Sequence, residues 1–302
     1  MATRIQLQGV FAPLTTPFAS DGALALGRLA ANIALYNRTP LAGYVITGST
    51  GEAVMLTSEE TERVWAAARE AAAPGRILIA GTGVDSTEET IARTRRAAQL
   101  GYPLALVKTP YYYKSQMTPA ALEAHYFRVA DASPIPLLIY SVPMFTGVTV
   151  EAELAARLAR HPNIAGIKDS AGDPRRSGEI VRQAPPEFQT VVGSAQNFAA
   201  SLAAGARGGI LALSCVLPEL CVELYEAHMR RDSARVDELQ RAIAEPAKLI
   251  VSKYGPAGVK YAMDQRGYYG GPPRGALLPV AGDAAREIEA VLSAIPALAA
   301  AR

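Results

Sequence analysis

The feature that most constrains this 302-residue chain is a run of eight short apolar stretches, each separated from the next by a longer segment of helical period. In order they read "GVFAPLTT", "GYVITG", "RILIAG", "PLALVKT", "PLLIYSV", "IAGIKDS", "TVVGSA" and "GGILAL". Apolar residues follow one another in these stretches instead of alternating with polar ones, so both faces are apolar, as parallel strands covered by helices need. The segments between them, at 58–72, 86–100, 119–130, 150–160 and 174–183, carry apolar residues at helical spacing. Several begin with a cap: Thr57 or Ser58 before "EETERVW", Ser86 before "TEETIAR", and Thr118 ahead of Pro119. Strand–helix units repeated in series with right-handed crossovers close most economically into a TIM (β/α)8 barrel. The competing architecture is an open doubly wound sheet, but no G-x-G-x-x-G follows the first stretch.

After about residue 215 the pattern changes to helices alone, at 217–231, 232–252, 256–266 and 283–299, interrupted by "GYYGGPPRGALLP". The expected division is a barrel over 1–215 and a C-terminal helical subdomain over 216–302, the latter packed on the barrel or used for dimerisation. Charge gives no case for nucleic acid or a membrane surface as partner, since the net charge is +2 and no dense Lys/Arg block occurs. The two cysteines, Cys215 and Cys221, lack a C-x-x-C spacing, so neither a zinc site nor a disulfide framework is expected. That usage suits a reducing, cytoplasmic setting. The opening stretch lacks an apolar core of signal-peptide length, and "FAASLAAGARGGILALSCV" is broken by Arg207 and glycines, so no targeting or spanning segment is expected.

In such barrels the reactive groups sit where strands end. Lysine occurs at only six positions, and two of them close apolar stretches: Lys108 after "LALV" and Lys168 after "IAGI". Apolar walls favour a neutral amine, and a neutral amine attacks ketones or aldehydes to give a Schiff base. The plainer readings are a lysine paired with Asp169, or one reaching out to water. Tyr140 closes "PLLIY", where its hydroxyl can shuttle protons beside an imine or merely fill the core. In "TGSTGE" the backbone N–H groups and hydroxyls of Ser49 and Thr50 can converge on an anion such as a carboxylate, with Glu52 holding the turn, although a tight loop gives the same letters. Three tyrosines in "TPYYYKSQ" suit a pocket or a subunit interface. The glycines of "VVGSAQN" and "GARGGIL" fit a barrel phosphate site or simply close backbone approach. His125, His161 and His228 stand apart, without the spacing of metal ligands.

Taken together, "GVFAPLTTPF", "TGSTGE", "TPYYY", "IYSVP", "GIKDSAGD", "GSAQ" and "GPAGVKYAM" resemble the dihydrodipicolinate synthase and N-acetylneuraminate lyase superfamily of class I pyruvate aldolases, over nearly the whole chain. The resemblance implies that Lys168 is the Schiff-base lysine and Tyr140 the proton shuttle. It also implies that Ser49 and Thr50 bind the pyruvoyl carboxylate and relay protons, that Gly193 and Ile210 line the pyruvate side, and that Tyr112 reaches across a dimer interface. It implies a homotetramer built as a dimer of dimers, pyruvate and an aldehyde as substrates, and no metal or organic cofactor, because the iminium is the electron sink. Two positions depart from the pattern. Phe145 stands where synthases of this superfamily carry an arginine before Thr-Gly, which removes a bidentate carboxylate clamp. Lys108 stands where an apolar residue is usual, and either adds positive potential or points outward. The phrases "SPIPLLIYSVPMFTG", "HPNIAGIKDSAGD" and "GYYGGPPRGALLP" look closest to 4-hydroxy-2-oxoglutarate aldolases, with Ser170 as a contact for the distal end of the substrate. Other outcomes are a synthase using aspartate semialdehyde, a sugar-acid aldolase or dehydratase, and a keto-acid-binding protein without catalysis.

Overall fold

The computed structural model describes residues 5–295. All eight apolar stretches are strands, and they close into one parallel barrel in sequence order, with the last strand paired to the first. The chain runs β1 (Gly9–Pro13), α1 (Leu26–Tyr36), β2 (Gly43–Ile46), α2 (Ser58–Ala71), β3 (Ile77–Gly81), α3 (Thr87–Gln99), β4 (Leu104–Lys108) and α4 (Pro119–Ala132). It continues through β5 (Leu137–Ser141), the short α5 (Pro143–Thr146), α6 (Ala152–Leu158), β6 (Ile164–Asp169), α7 (Pro174–Gln183), β7 (Gln189–Val192), α8 (Phe198–Ala203) and β8 (Gly208–Ile210). Beyond the last strand come α9 (Pro218–Met229), α10 (Ser233–Pro246), α11 (Gly255–Asp264) and α12 (Asp283–Ser293).

The continuous apolar runs arise because both faces of each strand are buried. Phe11, Val45, Ile79, Leu106, Leu138 and Ile210 fill the barrel interior, while Val10, Tyr44, Leu78, Val107 and Ile139 pack outward against the helices. Each fully buried aliphatic side chain contributes roughly 1.5–3 kcal/mol. The caps read from the sequence form: Thr57 and Glu60 make a reciprocal capping box on α2, Ser86 accepts from Glu89 N–H on α3, and Thr118 accepts from Ala121 N–H on α4.

Two helices differ from the sequence expectation. The segment 232–252 is not one α-helix: α10 ends at Pro246 and Ala247–Lys253 continues as π-helix. Proline lacks the N–H that an α-helical ladder requires, and the change of ladder coincides with it. The last helix ends at Ser293, and residues 296–299 of its expected span lie outside the described residues. No described helix is long and apolar enough to cross a membrane.

Candidate active site

At the C-terminal rim, β4, β5 and β6 are in register so that Lys108 pairs with Tyr140 and Tyr140 pairs with Lys168. Strand side chains alternate, and Leu106 and Leu138 face the interior, so Lys108 and Tyr140, two residues on, face it as well. Lys168 and Tyr140 are buried, and the Lys168 Nζ lies 4.1 Å from the centre of the Tyr140 ring. Asp169 points to the opposite side of the strand, where Arg176 Nε lies at 3.3 Å and Ser177 Oγ donates to it at 3.1 Å. The amine of Lys168 therefore has no carboxylate partner among the described residues, and pairing with Asp169 is excluded.

The turn after β2 brings the hydroxyls. Thr47 and Glu52, at its two ends, both adopt left-handed backbone conformations, with φ of 57° and 55°. Trp65 Nε1 holds one end by donating to Thr47 Oγ1 at 2.7 Å, and Thr16 Oγ1 donates to the Gly51 carbonyl at 2.6 Å. Ser49 Oγ consequently sits 3.4 Å from Tyr140 Oη.

These groups open on a cavity of about 210 Å³. Ser49, Thr50, Tyr140, Lys168, Ser170, Gly193 and Ile210 all line it, so seven of the eight residues singled out in the sequence meet at one place. Gly193 is required by close approach: a Cβ there would lie 1.8 Å from Ser170 Oγ and 3.3 Å from Lys168 Cε. Tyr112 does not join them. It is 76 % exposed on the loop after β4, edge-on to Tyr113, and its backbone N–H donates to Asp85 at 2.8 Å.

The outward orientation for Lys108 is not what the structure holds. Its side chain shares a second cavity of about 40 Å³ with Ser49, Leu106 and Tyr140, and its Nζ lies 4.8 Å from the centre of the Tyr111 ring. Burial pushes the Lys108 amine below the usual lysine range, partly opposed by Asp85.

Phe145 apart, which the resemblance had set at the place of a substrate-binding arginine, the mouth of the main cavity was not foreseen from the sequence. Met144 and Phe145 of α5 flank it, and Ala247, Val251, Ser252, Pro256 and Val259 come from the C-terminal helices. Gln196 Nε2 donates to Ser252 Oγ at 2.7 Å, tying the loop after β7 to the π-helical stretch. Among the described residues that line the cavity, Lys168 is the one basic side chain, and no carboxylate is among them. Helical periodicity reports which face of a helix is apolar, not which barrel loop that face will cover.

The lysine, the phenol and the hydroxyls meet at the C-terminal mouth of this barrel, and the chain's relatives share that barrel. The model of the Dihydrodipicolinate synthetase family matches residues 6–295. The chain belongs to this family. Among curated members, the chain is 37 % identical to a 4-hydroxy-tetrahydrodipicolinate synthase of Exiguobacterium sp., covering 91 % of this chain and 94 % of that one. It is 36 % identical to a probable mitochondrial 4-hydroxy-2-oxoglutarate aldolase of Emericella nidulans, covering 98 % and 97 %. Among solved members, the chloride-inhibited dihydrodipicolinate synthase of Acinetobacter baumannii, complexed with pyruvate, superposes with a TM-score of 0.91 at 30 % identity, over 95 % of this chain and 98 % of that one. As a dihydrodipicolinate synthetase family member, the protein is a carbon–carbon lyase of the pyruvate-dependent, class I aldolase type.

Proposed function

We propose that the protein cleaves 4-hydroxy-2-oxoglutarate to pyruvate and glyoxylate through a Schiff base on Lys168. The observation that carries the chemistry is a buried lysine without a carboxylate partner among the described residues, lying against Tyr140, whose hydroxyl is within reach of Ser49. The neutral amine attacks the C2 ketone, and loss of water gives the iminium, with Tyr140 moving protons to the departing oxygen. Tyr140 then accepts the 4-hydroxyl proton as the C3–C4 bond breaks. The bonding pair flows into the iminium, glyoxylate leaves, and the enamine is protonated at C3 and hydrolysed to pyruvate. Ser49 and Thr50 hold the C1 carboxylate, Gly193 and Ile210 wall the pyruvoyl half, and Ser170 faces the distal half.

The choice of aldehyde is supported by the end-to-end similarity to the Emericella aldolase and by Phe145 at the cavity mouth, which takes the place of the arginine that synthases of this superfamily carry. The similarity to the Exiguobacterium synthase supports a second reading, condensation of pyruvate with aspartate semialdehyde. In either reading Tyr112 is contributed by a second copy within a homotetramer.

Incubation with pyruvate and borohydride, followed by peptide mapping, tests the reading. A reduced adduct is expected on Lys168 and none in Lys168→Ala. No adduct, or one on Lys108, would remove it. Glyoxylate release from 4-hydroxy-2-oxoglutarate, set against turnover with aspartate semialdehyde, then separates the two substrates.

A further inference from the structure

Beneath the turn that carries Ser49 and Thr50 lies an ion pair with no part in the reaction as described. Glu52 Oε1 and Lys260 Nζ are 2.5 Å apart, and both side chains are 1 % exposed. The Lys260 Nζ also donates to the Pro272 carbonyl at 2.9 Å and lies 4.4 Å from the centre of the Phe18 ring. The other carboxylate oxygen of Glu52 accepts the backbone N–H of Arg274 at 2.8 Å. The Arg274 guanidinium reaches Glu60 Oε1 and Oε2 at 2.8 and 2.7 Å and the Gly22 carbonyl at 2.6 Å.

Burying two charges is costly, and a well-packed apolar pair of the same volume is often as stable. A left-handed backbone at a non-glycine residue adds to that cost, and Glu52 adopts one. Such costs persist where the surroundings fix a geometry that is used. The geometry fixed here leads directly to the hydroxyls. Glu52 N–H donates to the Ser49 carbonyl at 3.1 Å, and Gly51 N–H donates to the Gly48 carbonyl at 3.1 Å, so a displacement of Glu52 is passed to Ser49 and Thr50.

We propose that Glu52 and Lys260, backed by the Arg274 segment, are positioning residues that hold the Ser49–Thr50 turn in register for the carboxylate of the keto acid. This rests on the proposal that the turn binds that carboxylate. Lys260 comes from α11 and Arg274 from the Pro/Gly segment beyond it, so the part of the chain that follows the barrel sets the shape of its anion site. Pairing also keeps the ground beneath the turn neutral. An unpaired Glu52 carboxylate there would repel the bound anion.

The test is borohydride trapping of pyruvate on Lys168 across a pyruvate titration, with thermal melts to check folding. In Lys260→Met the half-saturating pyruvate concentration is expected to rise roughly tenfold while the trapping plateau is kept, the signature of lost ground-state binding. Adding Glu52→Gln to that variant removes the unpaired charge but leaves an acceptor for Arg274 N–H, and is expected to recover most of the loss. Should Lys260→Met fail to fold, Glu52→Gln/Lys260→Met is compared with Glu52→Ala/Lys260→Met. The alanine form lacks the acceptor, and its half-saturation is expected to lie roughly tenfold above that of the glutamine form. The proposal is overturned if Lys260→Met follows the wild-type curve, if only the plateau falls, or if the two double variants coincide. A wild-type protein that traps no pyruvate at any concentration defeats the Schiff-base reading, and this inference with it. Trapping by wild type with unchanged variants defeats this inference alone.

Discussion

Lys168 was legible in the sequence because an ammonium group at the end of an apolar run is costly and needs a reason. Its freedom from Asp169 was not, because it depends on strand alternation and on Arg176 and Ser177 engaging that carboxylate from α7. Gly193 shows the same division. The letters allowed a phosphate loop, whereas the close approach of Ser170 and Lys168 shows a glycine needed for space. Gly193→Ala is therefore expected to displace the Lys168 and Ser170 side chains, lowering kcat/KM by roughly a hundredfold while stability falls by only about 1–2 kcal/mol. Steady-state kinetics alongside a thermal melt would decide it, and an alanine variant with wild-type kcat/KM would show that the contact is not needed.

At the scale of elements, a cap on α2 was visible at Thr57 or Ser58, and the structure forms it on Thr57 with Glu60 reciprocating as a capping box. What lay hidden was that Glu60 is shared with Arg274, 214 residues away. The Arg274 guanidinium hydrogen-bonds to Glu60 and lowers its carboxyl from 4.5 to about 2. A lowered carboxyl pKa stabilises the fold above the unfolded value, so this contribution is complete above about pH 4.5 and is lost as pH falls from there toward 2. Allowing for solvent screening of a partly exposed pair, it amounts to about 1–2 kcal/mol. Denaturant unfolding at pH 7 and at pH 2.5 should show Arg274→Leu less stable than wild type at the higher pH, with a clearly smaller gap at the lower. A gap that does not narrow with acid would show that Arg274 acts through its bonds to the Gly22 and Met55 carbonyls and through packing, not through Glu60.

At the scale of the whole molecule, one protomer assembles an amine, a phenol and two hydroxyls but leaves Tyr112 exposed on the loop after β4. If Tyr112 serves a neighbouring copy, the site is divided between chains. Tyr112→Phe and Lys168→Ala, each nearly inactive alone, are then expected to regain a measurable fraction of activity when refolded together, because mixed dimers carry one intact site. A mixture no more active than its components would place Tyr112 outside the chemistry. Size-exclusion chromatography with light scattering would report the assembly on the same samples.

The sequence by itself determined the barrel, its strand order, the caps and the residues that close β5 and β6, because these follow from periodicity, local hydrogen bonding and the cost of a charge in an apolar run. Register and long-range contact decided the rest. Lys108, Tyr140 and Lys168 share a level only because three strands pair as they do. The mouth of the cavity is built by helices whose own periodicity is silent about what they cover, and the turn beneath Ser49 is held by Lys260 and Arg274 from far along the chain. Such contacts join residues with no local bias toward one another, and only the closed barrel brings them within reach.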